Sequence, residues 1–254
     1  MADISVLILA KNEAKNIRAC IESCRPFAAE TVVIDDFSDD DTAQIAEGCG
    51  AKVVRRALNG DWGGQKTFAV QQASCPWVFI IDADERCTPE LAAEIRRAAD
   101  TGEQTAYRVT RLNHFGGRPV RHGPLSPDRV TRLLPREGVR VEGLVHEKTV
   151  HPYPEKDLAA PMLHYTYDNW DQYLAKMNRY SALSAERYLR EGRRPRPFAD
   201  LWLRPQIAFV KMYFLKLGFL DGALGYALAK NYANYTLNKY IKLQEMYARQ
   251  TSRS

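Results

Sequence analysis

Asp82 and Asp84 are the residues of this chain whose type and spacing most invite chemistry. They lie in the stretch Trp77–Arg86, WVFIIDADER, where the β-rich apolar run Val78–Ile81 suits a strand buried on both faces. Side chains two apart on an extended backbone point the same way, which predicts that Asp82 and Asp84 project together. Paired carboxylates at a strand end repel each other, and burying them without a counter-charge is costly. A hard divalent cation with oxygen ligands resolves that conflict at the carboxyl end of a strand, where open α/β folds bind ligands. The competing reading is an acidic helix entry, since Thr88-Pro89-Glu90 follows directly.

The elements that must position these residues follow from the pattern before them. Ile4–Ala10 reads as a first strand, then Lys11-Asn12-Glu13 and an amphipathic helix to about Cys24. Thr31–Ile34 is a second strand ending in Asp35-Asp36-Phe37-Ser38-Asp39-Asp40-Asp41-Thr42. Ser38 through Asp41 can cap the next helix, and Gly48 and Gly50 close it. Ala51–Val54 is a short third strand, and Asn59–Gly64 a mobile loop before a helix over Gln65–Ala73. Strands alternating with helices imply crossover units and a largely parallel, Rossmann-like sheet. Three of its four strand ends carry polar clusters along one edge, which points to a nucleotide site. No G-x-G-x-x-G follows the first strand and no Walker loop is present, so a dinucleotide fold is disfavoured.

Beyond Ala99 the pattern changes. Thr105–Leu112 alternates like a strand, and Asn113–Arg118 with Arg121–Pro124 form a Gly/Pro/His-rich loop. Val130–Leu134 and Val139–Val141 read as further strands, followed by Gly143-Leu144-Val145-His146-Glu147. A lone histidine is more often structural than functional, but a His146-Glu147 pair after a strand near a metal edge is a candidate catalytic pair. His164 falls just before a compositional seam near residue 165.

Residues 1–169 hold 21 Lys+Arg against 25 Asp+Glu, a net −4, whereas residues 170–254 hold 15 against 6, a net +9. The expected organisation is a catalytic domain over 1–165 and a basic helical region over 166–254. Three helices are expected in the latter, near 169–191, 199–218 and 221–248. The basic hinge Arg193–Pro197 separates the first two, and Pro205 should kink the second. Trp202, Ile207, Phe209, Val210, Tyr213, Phe214 and Leu217 give that second helix a broad apolar surface. Lys211, Lys216 and Asp221 interrupt it well short of the ~20 apolar residues that cross a bilayer. A helix lying on an anionic membrane surface is expected, the alternative being that these helices pack on the catalytic domain. Five cysteines without paired zinc spacing and an apolar start without a basic n-region lead us to expect a reducing cytosol and no secretory signal.

These residues resemble the family 2 glycosyltransferases of the GT-A fold, over nearly the whole length. The likeness runs from Leu9-Ala10-Lys11-Asn12-Glu13 through Val33–Thr42 to Asp82-Ala83-Asp84. Trp62-Gly63-Gly64-Gln65-Lys66, Asp128 with Arg132-Leu133, Val145-His146-Glu147 and Gly218-Phe219-Leu220-Asp221-Gly222 look like the lipopolysaccharide inner-core β-1,4-glucosyltransferase subgroup. Phe37 departs from a usual Gly and Thr67 from a common Asn. The resemblance implies an α/β fold with a mostly parallel mixed sheet flanked by helices and a C-terminal helical extension. It implies a UDP-sugar donor, Mn²⁺ or Mg²⁺, and a lipid-linked oligosaccharide acceptor at the cytosolic face of the inner membrane. Nucleic acid is not an expected partner.

The site residues that the resemblance implies have roles that chemistry supports. Ala10, Asn12 and Glu13 would line the nucleotide, and Asp35 or Asp36 would accept the uracil N–H. Gln65 and Lys66, at a helix start, would reach the nucleotide, the lysine opposing phosphate charge. Asp84 would bind the metal and Asp82 the ribose or the metal, with His164 as a further ligand. Family 2 enzymes invert the anomeric centre through an oxocarbenium-like transition state, so one general base must take the acceptor proton. Glu147 beside His146 is the choice, with Glu142 and Asp128 in reserve. Rival readings fit less well. A haloacid-dehalogenase-type phosphatase normally carries Thr where Arg86 stands, and a pyrophosphorylase needs a glycine-rich loop after strand one. A catalytically dead membrane scaffold has no need of Asp82, Asp84 and Glu147 together.

Overall fold

The first strand, buried on both faces, organises the N-terminal architecture. A computed structural model describes residues 2–143 and 148–251. In chain order the first elements are β1 (Ile4–Ala10), α1 (Ile17–Cys24), β2 (Glu30–Asp35), α2 (Thr42–Gly48), β3 (Lys52–Arg55), α3 (Trp62–Gln72) and β4 (Trp77–Asp82). They are followed by β5 (Glu85–Cys87), α4 (Pro89–Asp100), β6 (Ala106–Phe115), β7 (Arg118–Pro119), β8 (Asp128–Pro135), β9 (Arg140–Glu142), β10 (Lys148–Val150), β11 (Glu155–Asp157) and β12 (Met162–Tyr167). The helices α5 (Trp170–Arg190), α6 (Arg204–Val210) and α7 (Gly222–Thr251) complete the chain, with π-helical turns Phe198–Leu203 and Lys211–Leu215 flanking α6.

The chain divides into two compact units, Met1–Leu112 with Asp128–His164, and Asn113–Pro127 with Tyr165–Ser254. The loop 113–127, which precedes the compositional seam in sequence, therefore clusters with the C-terminal helices.

The first unit is built on a mixed sheet. β3, β2, β1 and β4 run parallel in that order, and β8 then pairs antiparallel to β4 and to β6. β9 and β10 form a separate antiparallel pair. All seven residues of β1 are buried. Ile4, Val6 and Ile8 pack with α1 and α4 on one face of the sheet, and Leu7 and Leu9 pack with Ala69 and Val70 of α3 on the other. Phe27 and Phe79 meet edge-to-face at 5.2 Å within the first cluster. Truncating Phe79 to Ala would cost about 3–5 kcal/mol.

Local chemistry explains the helix boundaries. In α1 the buried residues Ile17, Cys20, Ile21 and Cys24 follow one helical stripe, as the spacing of the two cysteines suggests. Thr88 caps α4 by accepting the Leu91 N–H at 3.1 Å, with Pro89 in the first turn. The expected loop over Asn59–Gly64 is shorter than the sequence suggests. Asp61 accepts the Gly64 N–H at 2.8 Å, so α3 begins at Trp62. The strands β5, β7, β10, β11 and β12 have no counterpart in the sequence-based expectation.

In the second unit α5 and α6 both pack on α7. Phe115, Tyr167, Tyr173 and Leu228 form one core cluster, and Ala185, Tyr240 and Leu243 another. Pro205 lacks the N–H that would continue the ladder, and a π-helical turn precedes it, with Arg204 N–H reaching Ala199 O five residues back. At Gly218 a Cβ would sit 2.7 Å from Met212 O, so only glycine fits there. Asp221 then accepts the Arg121 and His122 N–H groups at 3.0 and 2.9 Å, tying the 218–222 turn to the loop. Among the described residues no helix is long and apolar enough to cross a membrane.

Candidate active site

The carboxyl ends of β1, β2 and β4 bring the N-terminal polar clusters to one edge of the sheet. Register places Ala10 beside Asp35 and Leu9 beside Asp82. The chain leaves β1 through Asn12, whose positive φ of 55° suits an Asn. Its N–H donates to Ser38 Oγ at 2.9 Å, and its Oδ1 accepts the Asp39 N–H at 2.9 Å. The Glu13 N–H donates to Thr42 Oγ1 at 2.7 Å, and its carboxylate accepts from Asn16 at 2.7 Å. Burial pushes the Glu13 carboxyl up, the Asn16 hydrogen bond opposes that, and nearby Asp84 adds to it.

The two strand-end aspartates of β2 have different surroundings. Asp35 is fully buried, accepts from Ser38 N and Oγ at 3.2 and 2.5 Å, and lies 3.7 Å from Arg55. Asp36 is more open. It accepts the Leu58 N–H at 2.8 Å and stands 3.2 Å from Lys11 Nζ. Gln65 is buried, and its amide donates to Arg56 O at 2.8 Å, fixing the start of α3. Gly63 lies close against β9, where a Cβ would meet Val141 O and Gly143 O at 2.9 Å.

Lys66 faces the carboxyl end of β4, with Nζ 3.7 Å from Asp82 Oδ1. Asp82 and Asp84 do not project together as the extended pattern predicts. The strand ends at Asp82, and Ala83 and Asp84 form a turn. Asp82 points to Lys66 and Arg132, whereas Asp84 Oδ2 lies 3.3 Å from His164 Nε2. Arg86 braces the turn by donating to Ala83 O at 2.8 Å and Asn16 Oδ1 at 3.2 Å.

Behind Asp82 lies an ionic network that the sequence alone does not reveal. Arg132 Nη2 donates to Asp82 Oδ2 at 2.8 Å and to Glu85 at 2.5 and 2.7 Å. Glu85 also accepts the Asp82 N–H at 3.0 Å and stands 3.3 Å from Arg111. Arg111 in turn grips Asp128 Oδ2 through Nε at 2.9 Å and Nη2 at 2.7 Å. Burial alone would raise the Asp82 carboxyl, but Lys66, Arg132 and Arg111 outweigh it and hold the group well below the usual carboxylate range. Burial pushes Glu85 up despite Arg132, with the Asp82 charge acting in the same direction as burial. The one available signal was Arg132 itself, a charged side chain in a strand whose next two residues are fully buried leucines.

The donor set suits a divalent cation. One carboxylate and one imidazole stand adjacent at Asp84 and His164, and hard cations are commonly held by one or two carboxylates plus substrate phosphates. Among the described residues no group of three His, Cys, Asp or Glu side chains could hold a metal ion alone. Of the candidate bases, Asp128 already accepts two N–H groups from Arg111, and Glu142 is exposed and paired with Arg140 at 2.6 Å. Glu147 and His146 lie outside the described residues.

Comparison with known proteins agrees with this arrangement. The family model for glycosyl transferase family 2 matches residues 5–148. The lipopolysaccharide core biosynthesis glycosyltransferase LpsC of Rhizobium meliloti is 32% identical over 259 residues, covering 96% of this chain and 93% of that protein. An uncharacterized glycosyltransferase of Rickettsia bellii is 28% identical over 263 residues, covering 96% of this chain and 86% of its own. Glucosyl-3-phosphoglycerate synthase from Mycobacterium tuberculosis, solved with Mn²⁺ and uridine-diphosphate-glucose, overlaps 56% of this chain and 61% of its own at 22% identity and a TM-score of 0.41. That overlap bears on neither the donor nor the metal of this chain. The chain belongs to glycosyl transferase family 2. It is a glycosyltransferase, and the mixed sheet flanked by helices, with its C-terminal helical region, is a GT-A-type architecture.

Proposed function

We propose that this chain is an inverting, metal-dependent glycosyltransferase that moves glucose from a UDP-sugar to a heptose of a lipid-linked saccharide, the lipopolysaccharide inner core. The observation that carries this reading is the Asp84–His164 pair at 3.3 Å, beside an Asp82 held by Lys66 and Arg132. Asp84 and His164 would hold Mn²⁺ or Mg²⁺, which supplies charge neutralisation for the departing diphosphate when bound. Asp82, kept anionic by its basic neighbours and turned away from the Asp84–His164 pair, would accept from the ribose rather than join the metal set. Asp36, the more open of the two aspartates, would accept the uracil N–H, and Ala10, Asn12 and Glu13 shape the adjoining wall. Gln65 fixes the start of α3, and Lys66 there opposes phosphate charge.

In the transfer step the acceptor hydroxyl oxygen attacks the anomeric carbon while the bond from that carbon to the phosphate oxygen breaks. The bonding pair leaves with UDP, and the acceptor proton passes to the Glu147 carboxylate, His146 being the other member of the proposed catalytic pair. Positioned base catalysis of this kind contributes about 10²–10⁴-fold. The resemblance to LpsC over nearly the whole chain supports a lipopolysaccharide acceptor. The +9 charge of residues 170–254 supports peripheral attachment to anionic lipids on the cytosolic face of the inner membrane, where each basic residue is worth about 1 kcal/mol. The test is transfer of radiolabelled glucose from UDP-glucose to a truncated, heptose-terminated lipopolysaccharide with Mn²⁺. Labelled product that disappears with EDTA supports the reading. Absence of transfer from UDP-glucose, UDP-galactose and UDP-N-acetylglucosamine overturns it.

A further inference from the structure

The surface between Phe198 and Leu220 has an unusual distribution of charge. Among its exposed side chains only Gln206 and Lys211 are polar. Phe198, Trp202, Ile207, Val210 and Phe214 stand 72, 58, 55, 46 and 53% exposed along one side of the helical segment. Phe198 and Trp202 stack at 5.4 Å. The opposite side carries buried Pro205, Ala208 and Met212, and α6 packs on α7. Among the described residues no helix, this segment included, is long and apolar enough to cross a membrane. Its two π-helical turns widen the helix at both ends.

The charged residues complete the pattern. Residues 192–220 contain six Lys or Arg and a single acid, Asp200. Asp200 is fully buried, where it accepts from Arg204 Nε at 2.7 Å and from the Arg196 N–H at 2.8 Å. Arg193 lies over the rings of Tyr188 and Tyr240, 4.5 and 5.0 Å from their centroids. The sole negative charge of the segment is thus turned inward, and of the hinge arginines Arg194 and Arg196 stay exposed.

We propose that Phe198–Leu220 is an in-plane insertion element for an anionic phospholipid bilayer. Phe198, Trp202, Ile207, Val210 and Phe214 enter the acyl boundary, and the exposed Arg194 and Arg196 meet lipid phosphates beside them. Apolar area together with electrostatic attraction is the combination that holds such helices at an interface. The inference deepens the membrane attachment proposed above and rests on that reading.

The experiment uses the full chain with phosphatidylglycerol vesicles whose acyl chains are brominated, reading quenching of tryptophan fluorescence, with phosphatidylcholine vesicles as the neutral arm. Quenching on the anionic vesicles that disappears in Trp202→Phe is expected. Arg194→Gln/Arg196→Gln, both outside the Asp200 side-chain pairing, should weaken partitioning by about 30-fold. Ile207→Asp should abolish insertion while UDP-glucose binding with Mn²⁺ is unchanged. Vesicle binding without Trp202 quenching overturns the insertion element but leaves peripheral attachment standing, whereas no vesicle binding overturns both. Concentration-dependent self-association that Ile207→Asp abolishes, without vesicle binding, assigns the face to a second copy instead. Loss of nucleotide binding in the unaltered chain, with insertion intact, would count against the transferase reading alone.

Discussion

A single nitrogen of Arg132, Nη2, donates to Asp82 at 2.8 Å and to both oxygens of Glu85 at 2.5 and 2.7 Å. Arg132 is 4% exposed and Glu85 fully buried, so the pair sits out of water behind the candidate metal edge. Removing the guanidinium would leave a buried carboxylate without its closest counter-charge. Arg132→Gln is expected to cost about 3–5 kcal/mol of folding stability. Glu85→Gln/Arg132→Gln should lose less than the sum of the two single changes, because neither charge is then left alone. Urea denaturation of the four proteins measures the coupling.

The same network predicts a pH dependence. Lys66 and Arg132 hold Asp82 below its unfolded value against the opposing effect of burial. A depressed carboxyl contributes stability that is fully present above its unfolded pKa of about 4 and is lost as pH falls below it. Asp82→Asn should therefore be less stable than the native chain at pH 7, and the gap should narrow at pH 3. Equal gaps at both pH values would contradict the assignment.

Backbone proximity predicts the behaviour of Gly63. A methyl group there meets Val141 O and Gly143 O at 2.9 Å, and the Gly63 N–H donates to Gly143 O at 3.2 Å. Gly63→Ala forces α3 and β9 apart and should destabilise by about 1–3 kcal/mol. Thermal unfolding gives the value, and an unchanged midpoint would show that the two elements separate freely.

The proposed base yields a kinetic prediction. Glu147→Gln keeps the shape of the side chain and removes its capacity to take a proton. It should lower kcat by about 10²–10⁴-fold and leave UDP affinity unchanged. The companion changes Glu142→Gln and Asp128→Asn discriminate the reserves. Asp128→Asn should act chiefly on stability, since its carboxylate already accepts two hydrogen bonds from Arg111.

Much of the parallel half of the sheet is legible in the sequence for physical reasons. Ile4–Ala10 and Val78–Ile81 are short, largely apolar, β-rich runs bounded by polar residues, the pattern of a strand covered on both faces and too short for a buried helix. Their polar ends converge because parallel strands share one carboxyl edge. What the sequence conceals depends on turns and on distant partners. Asp82 and Asp84 diverge because the chain turns at Ala83, an event that i and i+2 spacing cannot register. Glu85 meets Arg132 across 47 residues of sequence, and nothing local in either segment encodes the meeting. His164 reaches Asp84 because β12 pairs with β5 in a register that sets His164 opposite Glu85, and β5 is too short to leave a periodic signature. Gln65, proposed for the nucleotide from its place at a helix start, has its amide occupied by Arg56 O.

The most direct test of the account is calorimetric titration of UDP into the protein with Mn²⁺, with EDTA, and in an Asp84→Ala variant. Binding is expected to require the metal and to weaken by at least about 10–100-fold when Asp84 is removed, the range seen when even supporting residues of metal sites are lost. UDP binding of equal strength in all three conditions would contradict it, because the Asp84–His164 pair would then hold no cation that the nucleotide uses.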